Sequence, residues 1–198
     1  IGASPTASVE EERVRTQTFS RGSLENPLVA LLVLTLIFGA LYFLRLGQAS
    51  LWEIDEAIYA EIGREMAESG DLVGTYFDYD PRFDKPPLTY WLMVLSYRIF
   101  GVNEFAVRFF SALLGLAGLL LLYALVREII GARIALVSSL ILGSCLEYPV
   151  LAAQGLTDMP LTFFTVLTFY GLWRAYEREQ PRRSEERRVG KECRYGWS

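Results

Sequence analysis

Three short polar motifs interrupt an otherwise apolar chain: W-E-I-D-E-A-I-Y-A-E-I at 52–62, F-D-K-P-P at 83–87 and L-T-D-M-P at 156–160. The 198 residues include no histidine. A histidine-ligated zinc site and a histidine base are therefore excluded, and a general base has to be a carboxylate, Lys, Tyr or Cys. Asp55 and Glu56 sit where an apolar run gives way to an amphipathic helix. There Asp55 suits an N-cap and Glu56 complements the helix dipole, and a capping carboxylate is also rigid enough to serve catalysis. Pro86 and Pro87 forbid ordinary helix before them and stiffen the turn, fixing Asp84 and Lys85 beside a membrane surface. A lysine in that place binds a lipid phosphate as a point charge, and it equally suits an interfacial lysine snorkelling to water. Asp158 lies at the junction between two apolar runs, with Pro160 opening the next helix, where an N-cap is the ordinary role. Arg108 and Glu147 stand in or near apolar runs, where charges are costly and often functional, unless they reach the interface.

The elements that must position these residues are membrane helices. The chain is 52% hydrophobic and 14% aromatic, with a formal net charge of -4. Long charge-free runs at that content exclude an ordinary soluble domain, and the lack of a basic face excludes a nucleic-acid binder. Two cysteines, Cys145 and Cys193, are too few for a disulfide framework. Residues 1–26 read as a polar, disordered cytoplasmic leader. The run from Leu28 to Leu44 has about the 17–25 residues of a membrane span, entered through Pro27. It is longer than the about 7–15 apolar residues of a signal peptide, so Gly47-Gln48-Ala49 is read as following a retained span.

A helix is expected from about Glu56 to Glu68. Ile58, Tyr59, Ile62 and Met66 fall on its apolar face and Glu61, Arg64, Glu65 and Glu68 largely opposite, so that it lies on the membrane surface and ends at Ser69-Gly70-Asp71. Leu88 to Phe100 is too short to span and reads as a second interfacial or re-entrant helix, closed by Gly101. Further spans are expected at 105–126, 134–156 and 159–176, making four. Arg127, Glu128 and Arg133 lie between two of them, and Arg174 and Arg178 follow the last. The positive-inside rule puts these residues in the cytoplasm and the loop 47–104, with Asp158, outside. The segment 183–198, R-S-E-E-R-R-V-G-K-E-C onward, reads as the translation of a sequencing adapter fused in frame, and is set aside from functional reasoning.

Each motif is weak by itself, but their order and spacing are specific. The stretch from Leu51 to about Ala175 resembles the bacterial aminoarabinose transferase and protein mannosyltransferase group of the GT-C glycosyltransferases. The resemblance is carried by Asp55-Glu56-Ala57, Tyr59-Ala60-Glu61-Ile62, Arg64-Glu65-Met66, Ser69-Gly70-Asp71, Lys85-Pro86-Pro87, Tyr90-Trp91, Phe100-Gly101-Val102-Asn103-Glu104 and Thr157-Asp158-Met159-Pro160. It implies an all-α polytopic membrane enzyme of the bacterial plasma membrane, of which 27–180 would be the N-terminal part. Such an enzyme moves a sugar from a polyprenyl-phosphate donor to a lipid, protein or glycan hydroxyl at the outer face. By matching position the resemblance makes Asp55 the catalytic carboxylate and Asp158 a second acid that positions substrate or a metal. It makes Lys85 the ligand of the donor phosphate, with Glu56 and Tyr59 in support. Some relatives contact a divalent metal through a glutamate before the lysine; Asp84 stands there in this sequence, and its shorter side chain puts the metal in question. The competing class is a non-enzymatic lipid binder or transporter-type protein. Transporters place their charges near the bilayer midplane, whereas the acids here gather at one surface.

The inferred topology has a direct check. With the native cysteines replaced, Ser69→Cys and Asp71→Cys should react with a membrane-impermeant thiol reagent added to intact cells, and Arg133→Cys should not. The reverse pattern would overturn the topology.

Overall fold

The computed structural model describes residues 26–51, 54–78, 80–82 and 85–195, with side chains as far as 179. The leader 1–25 and Asp84 lie outside the described residues, as do the side chains of the tail 183–198. Seven helices follow in order: α1 Pro27–Phe43, α2 Ile54–Ser69, α3 Leu88–Phe100, α4 Glu104–Ile129, α5 Ala132–Ser144, α6 Glu147–Ala152 and α7 Asp158–Tyr195. Between α2 and α3 lies a minimal hairpin, β1 Tyr76–Phe77 and β2 Asp80–Pro81, antiparallel with Tyr76 opposite Pro81. The all-helical architecture expected from the apolar runs is the one observed.

Local chemistry explains the helix ends. Asn26 caps α1 by accepting from the Leu28 amide at 3.0 Å, and Pro27 occupies the first turn, where its missing N–H costs nothing. Asn103 caps α4 by accepting from the Ala106 amide at 2.9 Å. Gly70 and Gly101, at φ 74° and 77°, follow the last residues of α2 and α3 at positive φ, which glycine adopts without strain.

The bundle is built around α4, which packs against α1, α3, α5, α6 and α7. Helix α1 runs antiparallel to it: Leu46, just beyond α1, meets Arg108 near the start of α4, while Phe38 belongs to the same core as Leu119. Helix α7 runs parallel to α4. Met159 sulfur lies near Gly115, Phe163 near Gly118, and Arg174 and Tyr170 both bond Glu128. Close helix contact needs small residues. A Cβ on Gly143 would strike the Phe38 ring and Leu119, and the Tyr42 hydroxyl donates to the Gly143 carbonyl at 3.3 Å. The bundle therefore has two chemically distinct ends. One gathers residues 44–50, α2, α3, the start of α4 and the 153–158 junction. The other carries Arg127, Glu128, Arg133 and Arg174.

Helix α4 alone among the described helices is long and apolar enough by itself to cross a membrane; α1, with 17 residues, and α5, with 13, are apolar but shorter. The single span expected at 134–156 is divided. Cys145 is extended at φ -61°, ψ 130° and separates α5 from α6. Pro149 is the cause, for a proline lacks the N–H that would bond the carbonyl four residues back, and its ring clashes with that carbonyl, here the one of Cys145. Helix α2 also departs from the expected surface helix. Its buried set is Glu56, Tyr59, Ala60, Ile62, Gly63, Glu65 and Met66, so Glu65 lies with the apolar residues and not opposite them. This helix packs on α3, through the edge-to-face pair Tyr59–Tyr90 at 5.8 Å and a hydrogen bond from the Tyr97 hydroxyl to the Ala60 carbonyl at 3.0 Å.

Candidate functional site

The site grows from one buried charge. Arg108 enters α4 one turn after its start and is only 5% exposed. A guanidinium has five N–H donors in a rigid fork, and all five are used. Nε donates to Glu56 Oε1 at 2.7 Å and Nη2 to Glu56 Oε2 at 2.8 Å, a bidentate pair. Nη1 donates to the carbonyls of Leu46 at 3.1 Å and Ala49 at 2.7 Å, and Nη2 also to that of Ser50 at 3.0 Å. Arg108 thus does not reach out to the interface, as its place near a helix start allowed. It is sealed beneath the turn that follows α1.

Glu56 is 1% exposed. Besides Arg108, its Oε1 accepts the backbone amide of Gly155 at 2.9 Å. A carboxylate with both oxygens engaged and no access to solvent is placed to fix backbone. Four segments meet on this pair: the turn 44–50, the first turn of α2, the start of α4 and the junction ahead of α7. The approach at Gly155 is close because it has no side chain. A Cβ there would lie 2.5 Å from Val107 Cγ1, 3.1 Å from the Val107 carbonyl oxygen and 3.2 Å from Met93 Cε.

The sequence-derived residues are arranged about this centre. Asp55 immediately precedes Glu56, stands in the first turn of α2 and is exposed. Asp158 follows Gly155 by three residues, stands in the first turn of α7 and is also exposed. The two acids therefore flank a single hydrogen bond, that of Gly155 to Glu56, and both favour the positive ends of their helix dipoles. Tyr59 lies one turn into α2, buried against Tyr90. Lys85 is exposed on the turn before α3, and it forms no ion pair with a carboxylate among the described residues. It is not bonded directly to Asp55 or Asp158. It belongs to the segment at the same end of the bundle, through the packing of α3 on α2. Glu147, in the first turn of α6, is exposed.

The surrounding acids are largely spoken for. Arg64 bonds Glu61, and its Nη1 reaches Glu68 Oε1 at 2.6 Å. The hydrogen bond from Arg64 holds the Glu61 carboxyl below its ordinary range, against the opposing effect of burial. Asp71 accepts the amides of Val73 at 2.9 Å and Gly74 at 3.1 Å, and these bonds keep it ionised to lower pH than usual. A cavity of about 540 Å³ opens among Glu65, Glu68, Ser69, Asp71 and Tyr76. Another, of about 300 Å³, lies between α2 and the start of α4, beside Ala57, Arg64, Tyr97 and Glu104. Asp55, Lys85 and Asp158 line neither. Among the described residues no three carboxylates or cysteines come close enough to hold a metal ion, and Asp84 is outside those residues.

Gly155 and the carbonyls of Leu46, Ala49 and Ser50 were not legible as site residues. The available signal was Arg108 itself, a charge in an apolar helix that had to find a partner.

Comparison with known proteins adds an independent line. The family model for dolichyl-phosphate-mannose-protein mannosyltransferase matches residues 84–183. An uncharacterized protein of Aquifex aeolicus (strain VF5) is 41% identical over 137 residues, covering 69% of this chain and 27% of that protein. The undecaprenyl phosphate-alpha-4-amino-4-deoxy-L-arabinose arabinosyl transferase 2 of Pseudomonas fluorescens (strain Pf0-1) is 35% identical over 149 residues, 75% of this chain and 27% of that protein. The crystal structure of ArnT from Cupriavidus metallidurans bound to undecaprenyl phosphate superposes with a TM-score of 0.67 at 32% identity, covering 70% of this chain and 26% of that one. The chain thus spans about a quarter of the length of the curated relatives it matches.

A buried pair of this kind is costly to break from one side, because the remaining charge is left uncompensated. In the full-length protein, Glu56→Gln or Arg108→Gln alone should lower stability by about 3–5 kcal/mol. The double replacement should cost clearly less than the sum of the two. Thermal unfolding in detergent measures this; strictly additive losses would show that the two side chains are not coupled.

Proposed function

This chain belongs to the dolichyl-phosphate-mannose-protein mannosyltransferase family, and from that premise we propose that the protein containing it transfers a sugar from a polyprenyl-phosphate donor to a hydroxyl of a lipid, protein or glycan acceptor. The observation that carries this reading is the likeness, in both sequence and fold, to ArnT, whose crystal structure holds undecaprenyl phosphate. The chain is part of a membrane protein. The end bearing Asp55, Lys85 and Asp158 faces the periplasm or exterior of a bacterial plasma membrane, in keeping with Arg127 and Arg133 on the short link at the opposite end.

The reaction assigns each residue a task. The acceptor oxygen forms a bond to the anomeric carbon as the bond from that carbon to the phosphate oxygen breaks. The leaving phosphate keeps the electron pair. Asp55 takes the acceptor's proton; its exposure and its place on a helix turn anchored through Glu56 both suit that role. Lys85, exposed and close in sequence to two prolines, meets the charge that grows on the leaving phosphate. Asp158 orients substrate from the neighbouring helix end, and Tyr59 supports the first turn of α2 from within. A divalent metal held through Asp84 is a separate part of the proposal, tested by chelation, and no step above is routed through it.

The test uses the full-length enzyme with donor lipid and acceptor. Asp55→Asn keeps size and one oxygen but removes the base, so turnover should fall by about 10²–10⁴-fold while the protein still inserts. Lys85→Ala removes a charged hydrogen bond to phosphate, worth about 1.5–3 kcal/mol, and should weaken donor binding by about tenfold or more. Asp158→Asn should slow turnover. Near-normal transfer by Asp55→Asn would overturn the base assignment and leave Asp55 a structural role only, whereas no transfer by the unmodified full-length protein would favour a non-enzymatic lipid binder. Unchanged donor affinity in Lys85→Ala would remove the phosphate assignment separately. Full activity after exhaustive chelation would dispose of the metal.

A further inference from the structure

We propose that Gly155 is a positioning residue for turnover, whose amide tethers the junction 153–157 to Glu56 and so fixes Asp158 relative to Asp55. This inference rests on the proposed role of Asp158 in the reaction. Asp158 and Asp55 stand on helices that are 103 positions apart in sequence, and nothing local in the chain sets their relation. The physical link is the bond of the Gly155 amide to Glu56 Oε1 at 2.9 Å, buried and made by the residue next to Asp55. Arg108 keeps that oxygen in place by its own bond at 2.7 Å to the same atom.

The link requires glycine for a steric reason. Gly155 is absent from the residues with positive φ, so its backbone is open to any amino acid. What excludes a side chain is chiefly Val107, whose Cγ1 would stand 2.5 Å from an added Cβ, with the Val107 carbonyl oxygen at 3.1 Å and Met93 Cε at 3.2 Å also tight. An alanine must therefore push the junction away from α4, and the amide moves with it. Because Asp158 is three residues further on, at the start of α7, the displacement is delivered to its carboxylate. Lys85 lies on a separate turn, and none of its atoms is among those nearest to the added Cβ. The consequence is specific: the tether governs the rate of the bound complex and not the affinity for donor.

The experiment is a cycle in the full-length enzyme, comparing Gly155→Ala, Val107→Ala and the double variant, with kcat and donor Kd measured separately using undecaprenyl phosphate as the binding probe. A misplacement of about 1 Å costs about 10²-fold in rate. Gly155→Ala is expected to lower kcat by at least about tenfold with donor Kd held within about twofold. Removing the Val107 methyls relieves the closest contact and leaves the Val107 carbonyl oxygen and Met93 Cε to give by a few tenths of an ångström, so the double variant should recover to within about threefold of Val107→Ala alone. Three results would overturn the tether: normal kcat in Gly155→Ala, a loss that Val107→Ala does not relieve, or a loss of donor affinity as large as the loss of kcat. Should Gly155→Ala not accumulate, the double variant against Val107→Ala decides alone, and a tenfold deficit there refutes the proposal. Asp158→Asn separates the two levels of the argument. Normal turnover in Asp158→Asn removes the role of Asp158 itself, whereas impaired turnover there with normal turnover in Gly155→Ala removes only the tether.

Discussion

The ion pair between Arg108 and Glu56 is the constraint on which the Asp55 end of the bundle depends. Two ionised groups taken out of water lose several kcal/mol of hydration each, and only excellent geometry together with further hydrogen bonds returns it. Here the geometry is bidentate, with 2.7 and 2.8 Å contacts. The remaining N–H groups of Arg108 are met by three backbone carbonyls of the turn after α1. Satisfying Arg108 therefore dictates the path of the turn 44–50, the angle at which α2 leaves it and, through Gly155, the approach to α7. A hydrophobic contact would have glued these segments without specifying them. A directional network leaves one arrangement.

This division of labour explains why adjacent acids in the sequence have opposite surroundings. Glu56 is sealed and fully bonded, and Asp55 beside it is exposed. On one helix turn, consecutive side chains point about 100° apart, so a buried anchor and an exposed neighbour fit together naturally. The anchor supplies rigidity and leaves its neighbour open to solvent. The aromatic pair Tyr59–Tyr90 and the hydrogen bond from Tyr97 to Ala60 extend the same rigidity along α2 and α3, which ties the Lys85 turn to the helix that carries Asp55.

Much of this was legible in the sequence wherever a local rule applies. Gly70, Gly101, Asn103 and the Pro86-Pro87 pair mark helix ends through backbone chemistry that needs no partner. The apolar runs gave the bundle, and the concentration of acids at one end gave its polarity. What could not be read depends on distant partners. Arg108 meets Glu56 across 52 residues, and Glu56 meets Gly155 across 99, so neither separation leaves a pattern in any window of sequence. Helical periodicity assigned Glu65 to the wet side of α2 because charge usually goes there, yet it is buried, beside a cavity it shares with Asp71 and Tyr76 from the segment that follows α2. The break at Cys145 was legible in principle from Pro149, but apolar content alone had merged α5 and α6 into one span.

The central claim is that Glu56 holds the site together while Asp55 and Lys85 meet the substrate. A structure of the full-length protein with a polyprenyl phosphate bound tests it most directly. The account predicts that the Glu56 carboxylate stays on Arg108 and the Gly155 amide, with the lipid phosphate against Lys85 and Asp55 turned towards it. A Glu56 released from Arg108 and turned to the ligand, or a phosphate bound at the opposite end beside Arg127 and Arg174, would contradict it.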